Sequence, residues 1–146
     1  KNKQITNPHL KKKRGKIFSL LKIMYWVINY QIFKILNFNS KNIYIFDRYI
    51  YDIILDPLRY RFSLPNKLTK LFIKFIIKPD LIILLTGNPY KIYSRKKELK
   101  LNDMIRLNNK YIKFIKEFDQ KIILNCLDTI DINKNKILNY LKKLSL

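Results

Sequence analysis

Two charged residues follow directly on a short apolar segment in the first third of the chain. The segment covers residues 43–46 and reads Ile-Tyr-Ile-Phe, and Asp47 and Arg48 come immediately after it. A carboxylate is a ligand that suits a magnesium ion, and the planar guanidinium group of arginine binds a phosphate through paired hydrogen bonds. These two residues therefore predict a site for a phosphorylated ligand.

Further charged and aromatic residues continue this stretch. Asp52 and Asp56 follow within the next turns of the chain, and Arg59 and Arg61 fall in a predicted loop. The two arginines would add positive charge to a ligand pocket or lie on the solvated surface. Tyr49 would line the same pocket or pack into the core.

The apolar segment 43–46 has to position these residues. Short runs of β-branched and aromatic side chains are typical of buried strands, and a strand buried on both faces belongs to a parallel sheet. Ligands of open parallel sheets bind at the carboxyl ends of the strands, which is where Asp47 and Arg48 stand. The alternative is local: Asp47 caps the next helix, and Arg48 pairs with a nearby carboxylate.

The rest of the sequence alternates predicted helices and strands. An apolar period of three to four residues predicts a long helix over 17–36, and apolar runs predict strands at 81–85 and 121–125. Asn88 and Pro89 are the residue types of a helix N-cap and a first helical position. Other helices are predicted over 49–55, 66–77 and 133–144 and after residue 102. This alternation predicts an α/β fold.

The composition indicates one globular domain with a large excess of positive charge. The chain has 146 residues, 48% of them hydrophobic, and a formal net charge of +21. Such a charge favours polyanionic partners. However, Lys, Asn, Ile, Tyr and Phe all have AT-rich codons, and the lysines are spread over the whole chain. We therefore attribute most of the charge to codon bias and leave some of it to a polyphosphate ligand.

Cys126 is the single cysteine and His9 the single histidine. This composition excludes a disulfide framework, a Cys/His metal site and a histidine-based nucleophilic triad. The start of the sequence has no secretory signal pattern, and lysines interrupt each apolar run before it reaches the length of a membrane span. We therefore expect a reducing, cytoplasmic setting and no membrane partner.

In their order, these features resemble thymidylate kinase and its relatives among the P-loop nucleoside monophosphate kinases. The segment 43–49 resembles the family's strand-D-R-[YFH] motif, and Pro79-Asp80 with its apolar run resembles the P-D-L-x-x-x-L-x-x-x-P stretch. Residues 95–98, Arg-Lys-Lys-Glu, stand where the family has its lid, and Arg106 with Tyr111 resembles a later R-x-x-x-x-Y helix. The resemblance covers the chain from residue 17 to its end.

The resemblance implies a fold and an activity. The fold would be a three-layer α/β fold around a parallel sheet of the P-loop nucleotide kinase type, incomplete at the N-terminus, with residues 1–146 as a single partial domain. The activity would be a transferase reaction of nucleotide biosynthesis that moves the terminal phosphate of ATP to a nucleoside monophosphate, dTMP by default, with Mg²⁺.

The resemblance also implies roles for individual residues. Arg48 would clamp the acceptor phosphate, with Tyr49, Arg59 and Arg61 as further substrate-binding residues, and Asp47 would help to organise Mg²⁺ and its water. These residues form the acceptor side of the implied site.

The implied lid covers about residues 92–102. It would bring Arg95, Lys96 and Lys97 to the ATP phosphates, with Arg95 as the catalytic charge. The alternative for this trio is an exposed, charged helix face with Glu98 as a local partner. Family members commonly form dimers, and the helix over 17–36 would provide a dimer face or cover the sheet.

The sequence departs from the family at two places. The phosphate loop G-x-x-x-x-G-K-[ST] is absent, and the only glycines, Gly15 and Gly87, cannot form it. The chain therefore resembles the C-terminal two-thirds of such a kinase, and we expect it to be inactive alone. The family's S-x-A-Y-Q-G is replaced by Y-I-Y-D-I-I-L-D-P-L-R-Y-R at 49–61, which leaves the acceptor open.

Two other functions fit the sequence. One is a basic nucleic-acid-binding module in which aromatic residues among the lysines stack on bases, although the strands are predicted to be buried. The other is a catalytically inactive kinase remnant that only scaffolds a partner.

Overall fold

A computed structural model describes residues 7–95 and 97–144 of the chain, apart from the side chain of Pro8. These residues form two compact units, one up to Lys78 and the other from Pro79 onward. The structure is mixed α/β, with helices and a two-stranded parallel sheet, which confirms the predicted fold class at this level. The three-layer sheet and the single partial domain stay predictions.

The first unit is organised around one long helix. α1 (Lys16–Leu36) is followed by the short helices α2 (Asp52–Leu55) and α3 (Asn66–Ile73), and a 3-10 turn, Pro8–Leu10, precedes it. The core of the unit lies where α1, α2 and the segments after them meet. It consists of Ile23, Ile50, Ile53, Phe62 and Ile76.

The outer side of α1 is apolar as well, but it is exposed. Nine large uncharged side chains lie there: Ile17, Phe18, Leu21, Met24, Tyr25, Ile28, Ile32, Ile35 and Leu36. At 3.6 residues per turn these positions fall on one side of the helix, roughly opposite the buried Ile23. An uncharged face of this size is larger than the ordinary scatter of single apolar residues on a surface and is typical of an interaction surface.

The segment 43–46 is not a strand, so the prediction of a buried strand before Asp47 is wrong. The segment is extended but has no strand pairing, and Ile45 is 90% exposed. Its aromatic rings pack on the end of α1 instead: Tyr44 and Phe46 lie 4.9 and 5.3 Å from the ring of Phe33. The apolar character was real, but a strand also needs a neighbouring strand, and the sheet in the described residues consists of β1 and β2 only.

The second unit contains that sheet. β1 (Ile82–Thr86) and β2 (Lys121–Asn125) pair in parallel, with Thr86 opposite Asn125. α4 (Pro89–Arg95) and α5 (Leu101–Ile115) connect the two strands, and α6 (Ile130–Leu144) follows β2. The predicted strand over 121–125 is confirmed, and the predicted strand over 81–85 is observed one residue later.

The start of α4 confirms the predicted cap. The side-chain oxygen of Asn88 accepts hydrogen bonds from the backbone N–H of Tyr90 at 2.9 Å and of Lys91 at 3.4 Å, and Pro89 takes the first helical position. These contacts fix the turn after β1 because they satisfy backbone donors that have no partner inside the helix.

Within the two described stretches, none of the helices combines the length and hydropathy that crossing a membrane requires.

Candidate functional site

A small pocket in the first unit contains two of the residues predicted to bind substrate. It is lined by Trp26, Tyr30, Arg48, Tyr49, Ile50, Ile53 and Tyr60, and its volume is about 100 Å³. A cavity of about 150 Å³ holds a benzene molecule. The pocket therefore admits a phosphate group or part of a ring, and a whole nucleotide would have to extend beyond it.

Arg48 stands at this pocket in an uncommon backbone conformation. Its φ angle is 65°, in the left-handed region that side-chain-bearing residues seldom adopt. Its Nη1 lies 3.3 Å from Oδ2 of Asp52, and 48% of the side chain is exposed. The guanidinium is thus oriented by a carboxylate four residues on while part of it faces solvent. Strained residues of this kind cluster at ligand-binding sites.

Asp52 organises the polar side of the pocket. Besides the ion pair with Arg48, its Oδ2 accepts a hydrogen bond from the hydroxyl of Tyr60 at 3.3 Å. Burial, and after it the charge of Asp52, raise the pKa of Tyr60 to about 12. Tyr60 is therefore a protonated donor at neutral pH. The pair confirms the local alternative for Arg48, a nearby carboxylate as partner, and the i,i+4 spacing is the sequence signal that identifies Asp52 as that partner.

The raised pKa of Tyr60 gives a prediction for alkaline pH. The difference in tyrosinate absorbance between the protein and its Tyr60→Phe variant should titrate with a midpoint near pH 12. Asp52→Asn should lower the pKa of Tyr60 but leave it above the usual value of about 10, because burial remains. A Tyr60→Phe variant that retains the whole late-titrating absorbance would contradict the assignment.

The same shift has a consequence for stability. Since an unfolded tyrosine loses its proton near pH 10 and folded Tyr60 near pH 12, the folded state holds more protons between these values. The contribution of Tyr60 to the free energy of unfolding is complete below pH 10 and is lost as the pH rises through 12. Denaturant midpoints measured across this window should fall more steeply for the protein than for Tyr60→Phe.

Arg59 and Arg61 lie in the same unit, outside the lining of the pocket. The Nε of Arg59 lies 3.4 Å from Oδ2 of Asp56, a carboxylate that is only 3% exposed. Nε2 of His9 lies 2.7 Å from the other oxygen of Asp56, although its geometry is not that of a hydrogen bond. Arg61 donates from Nε to the carbonyl oxygen of Lys12 at 2.8 Å.

Asp47 is exposed at the end of the extended segment. It does not cap α2, since the N-cap position of that helix is Tyr51. Mg²⁺ is usually held by one or two carboxylates together with water and substrate phosphates, and Asp47 fits one such ligand. The described residues contain no group of three or more acidic, histidine or cysteine side chains that could hold a metal ion by themselves.

The residues predicted for the lid belong to the second unit. Arg95, the last residue of α4, donates from Nη1 to the carbonyl oxygen of Cys126 at 3.3 Å, just past the carboxyl end of β2. Lys97 is exposed, with Nζ 5.9 Å from the ring centre of Tyr93. Lys96 lies outside the described residues. Arg95 thus lies near the carboxyl end of β2, and the carboxyl ends of the strands are where ligands of parallel sheets bind.

No protein-family model matches the sequence, and comparisons with curated proteins and with solved structures give no match either. The resemblance to thymidylate kinases therefore rests on the ordered motifs of the sequence.

Gly87 explains how closely β1 and β2 approach at their carboxyl ends. A Cβ atom at this position would lie 2.9 Å from Sγ of Cys126 and 3.1 Å from Oδ1 of Asn125. It would also strain the hydrogen bond from the Cys126 N–H to the carbonyl oxygen of Thr86, which is 2.7 Å long. The space on the Cβ side of Gly87 is thus filled by the side chains of Asn125, Cys126 and Ile92.

This crowding predicts the effect of a single methyl group. Gly87→Ala should lower the free energy of unfolding by about 1–3 kcal/mol, the usual cost of overpacking. Gly15→Ala is the matched control, because nothing lies within 4 Å of a Cβ there, and only a small loss from a weaker N-cap is expected. Chemical denaturation of both variants measures the difference, and equal losses would contradict the crowding.

Proposed function

We propose that the chain is a thymidylate-kinase-like phosphotransferase and that its first unit binds the acceptor, a nucleoside monophosphate with dTMP as the default. The observation that carries this proposal is the guanidinium of Arg48, held on a left-handed residue beside an aromatic pocket. A planar guanidinium binds a phosphate through two parallel hydrogen bonds. The rings of Trp26, Tyr30 and Tyr49 offer an apolar surface to part of the base or sugar.

The donor side of the proposal is ATP with Mg²⁺. Phosphoryl transfer depends mainly on positioning and on neutralising charge, and we assign Arg95, Lys96 and Lys97 to the donor phosphates. Asp47 would contribute one carboxylate to the ion. Because the sequence contains no phosphate loop, these side chains would supply charge to the donor phosphates without a backbone cradle.

The wider features of the resemblance are part of the same proposal. We propose the three-layer parallel sheet of the P-loop nucleotide kinases as the complete architecture, and a cytoplasmic setting on the basis of the single cysteine. The two alternative functions are an inactive kinase remnant and a nucleic-acid-binding module, and the tests below distinguish them from the kinase.

The first test combines a sequence and an assay. The nucleotide sequence upstream of the codon for Lys1 should encode, in frame, a strand followed by G-x-x-x-x-G-K-[ST], and the complete gene product should transfer phosphate from ATP to dTMP. A stop codon directly upstream, with no transfer, would favour the remnant.

We also propose that two copies of the chain associate through the outer face of α1. Ile28→Lys places a charge in the middle of this face, and burying an unpaired charge is costly. Sedimentation velocity should show a dimer for the protein and a monomer for Ile28→Lys. Asn66→Lys adds the same charge at the exposed start of α3 in the same unit and should leave the dimer intact. A monomeric parent protein would contradict the proposal.

A further inference from the structure

Lys22 holds its ammonium group at a defined place on the surface of the first unit. Its Nζ donates to the carbonyl oxygen of Tyr60 at 3.2 Å and lies 4.8 Å from the ring centre of Trp26 and 5.5 Å from that of Tyr60. A backbone acceptor and two aromatic rings thus fix a side chain that would otherwise be mobile.

Two arginines have their backbone close to this ammonium group, since Arg61 directly follows Tyr60, whose carbonyl oxygen accepts from Lys22. The backbone N–H of Arg14 donates to the carbonyl oxygen of Arg61 at 2.9 Å, and Arg61 donates from Nε to the carbonyl of Lys12 at 2.8 Å. Arg61 has a left-handed backbone, with φ at 54°. Burial, and after it the charges of Arg14 and Arg61, lower the pKa of Lys22. The charges of both arginines therefore disfavour the protonated form of Lys22 in the folded chain.

No carboxylate among residues 7–78 forms an ion pair with any of these three cations. Residues 7–78 contain three acidic residues: Asp47, Asp52 and Asp56. The last two pair with arginines other than these. Within the described part of the chain, Arg14, Lys22 and Arg61 form no ion pair. A fold that holds like charges together without a counter-charge gains stability from a bound anion.

We propose that Arg14, Lys22 and Arg61 form a binding site for an oxyanion of the phosphate class. Two guanidinium forks and one ammonium suit an anion with more than one negative charge, such as pyrophosphate or the end of a polyphosphate chain. The phosphates of a nucleic acid backbone share this chemistry. The proposal does not rest on the proposed kinase activity, because the site excludes Arg48 and its pocket and gives Arg61, which lies outside the pocket lining, a role other than the substrate binding that the resemblance implies.

Trp26 is the only tryptophan in the chain and lies beside Lys22, but it also lines the pocket of Arg48. Its fluorescence therefore reports binding at the proposed site when the titration is made in Arg48→Ala. Pyrophosphate, titrated at constant ionic strength, should change the fluorescence of Trp26 with a saturable curve and an apparent Kd below about 1 mM, the range of a few charge-assisted contacts. A change that only follows the salt concentration, without saturation, would overturn the proposal.

Variants test whether the three cations are responsible for the binding of pyrophosphate. Arg14→Gln/Arg61→Gln should weaken pyrophosphate binding at least tenfold, and Arg14→Gln alone, at an exposed position, should weaken it less while preserving the contact of Arg61 with Lys12. Lys67→Gln/Lys74→Gln removes the same charge from exposed positions of the same unit and should leave binding unchanged. An equal loss in the control pair would show an effect of net charge and would overturn the site.

A second ligand identifies the source of the anion. A thymidine 20-mer should compete with pyrophosphate for the site, with a steep salt dependence, if the physiological ligand is a nucleic acid backbone. Pyrophosphate binding that the oligonucleotide does not displace at 150 mM salt assigns the site to a small phosphorylated molecule. Both results support the site. If neither pyrophosphate nor the oligonucleotide binds, the site is contradicted.

Discussion

Arg48→Ala is expected to weaken the binding of dTMP roughly 100-fold, because two charge-assisted hydrogen bonds to the phosphate are lost. Asp52, which pairs with Arg48 at 3.3 Å, pre-orients the guanidinium, so that little ordering is needed on binding. Isothermal titration of dTMP into the protein and the variant measures the change.

Two further variants define the cause of that loss. Arg48→Lys retains the charge but not the planar fork, so its affinity for dTMP should fall between those of the protein and Arg48→Ala. Lys67→Ala removes one exposed positive charge from the same unit and should have little effect. If Arg48→Ala binds dTMP with the same affinity as the unchanged protein, Arg48 does not contact the phosphate of the acceptor.

Ile53→Ala is expected to lower the free energy of unfolding of the first unit by about 2–5 kcal/mol, the usual cost of such a cavity. Ile53 is 1% exposed, lies in the core beside Ile23 and also lines the pocket. A loss of this size is a large share of the total stability of a small domain. Urea unfolding, followed by the fluorescence of Trp26 in the same unit, measures it.

Ile45→Ala is the matched control for the core substitution. It removes the same atoms from a side chain that is 90% exposed in the same unit, and its effect should stay within about 0.5 kcal/mol. Similar losses in the two variants would mean that the core of this unit does not lie where the structure places it.

The sequence predicted those elements whose signals are local. The strand over 121–125 and the cap at Asn88 were found because strand composition and cap chemistry are written in neighbouring residues. The prediction of a strand at 43–46 is wrong, because apolar and aromatic residues fit a strand and an aromatic cluster on α1 equally well. Only the tertiary structure decides between the two, since a strand requires a partner.

The candidate site shows the same division. Arg48 and Tyr49 were singled out by their position after an apolar segment, and both line the pocket. Trp26 packs against the core and also lines the pocket, and this place depends on packing between α1 and the residues after Asp47. The left-handed backbone of Arg48 and Arg61 could not be predicted, because arginine carries no preference for that conformation.

Whether Arg48 recognises the phosphate group is tested most directly by comparing dTMP with thymidine. Both ligands are titrated into the protein and into Arg48→Ala, and the fluorescence of Trp26, which lines the pocket, reports binding. We expect dTMP to bind at least about tenfold more tightly than thymidine, and we expect this difference to disappear in Arg48→Ala. Equal binding of the two ligands, or a preference for dTMP that survives in Arg48→Ala, would contradict the claim that Arg48 recognises the phosphate of a nucleoside monophosphate.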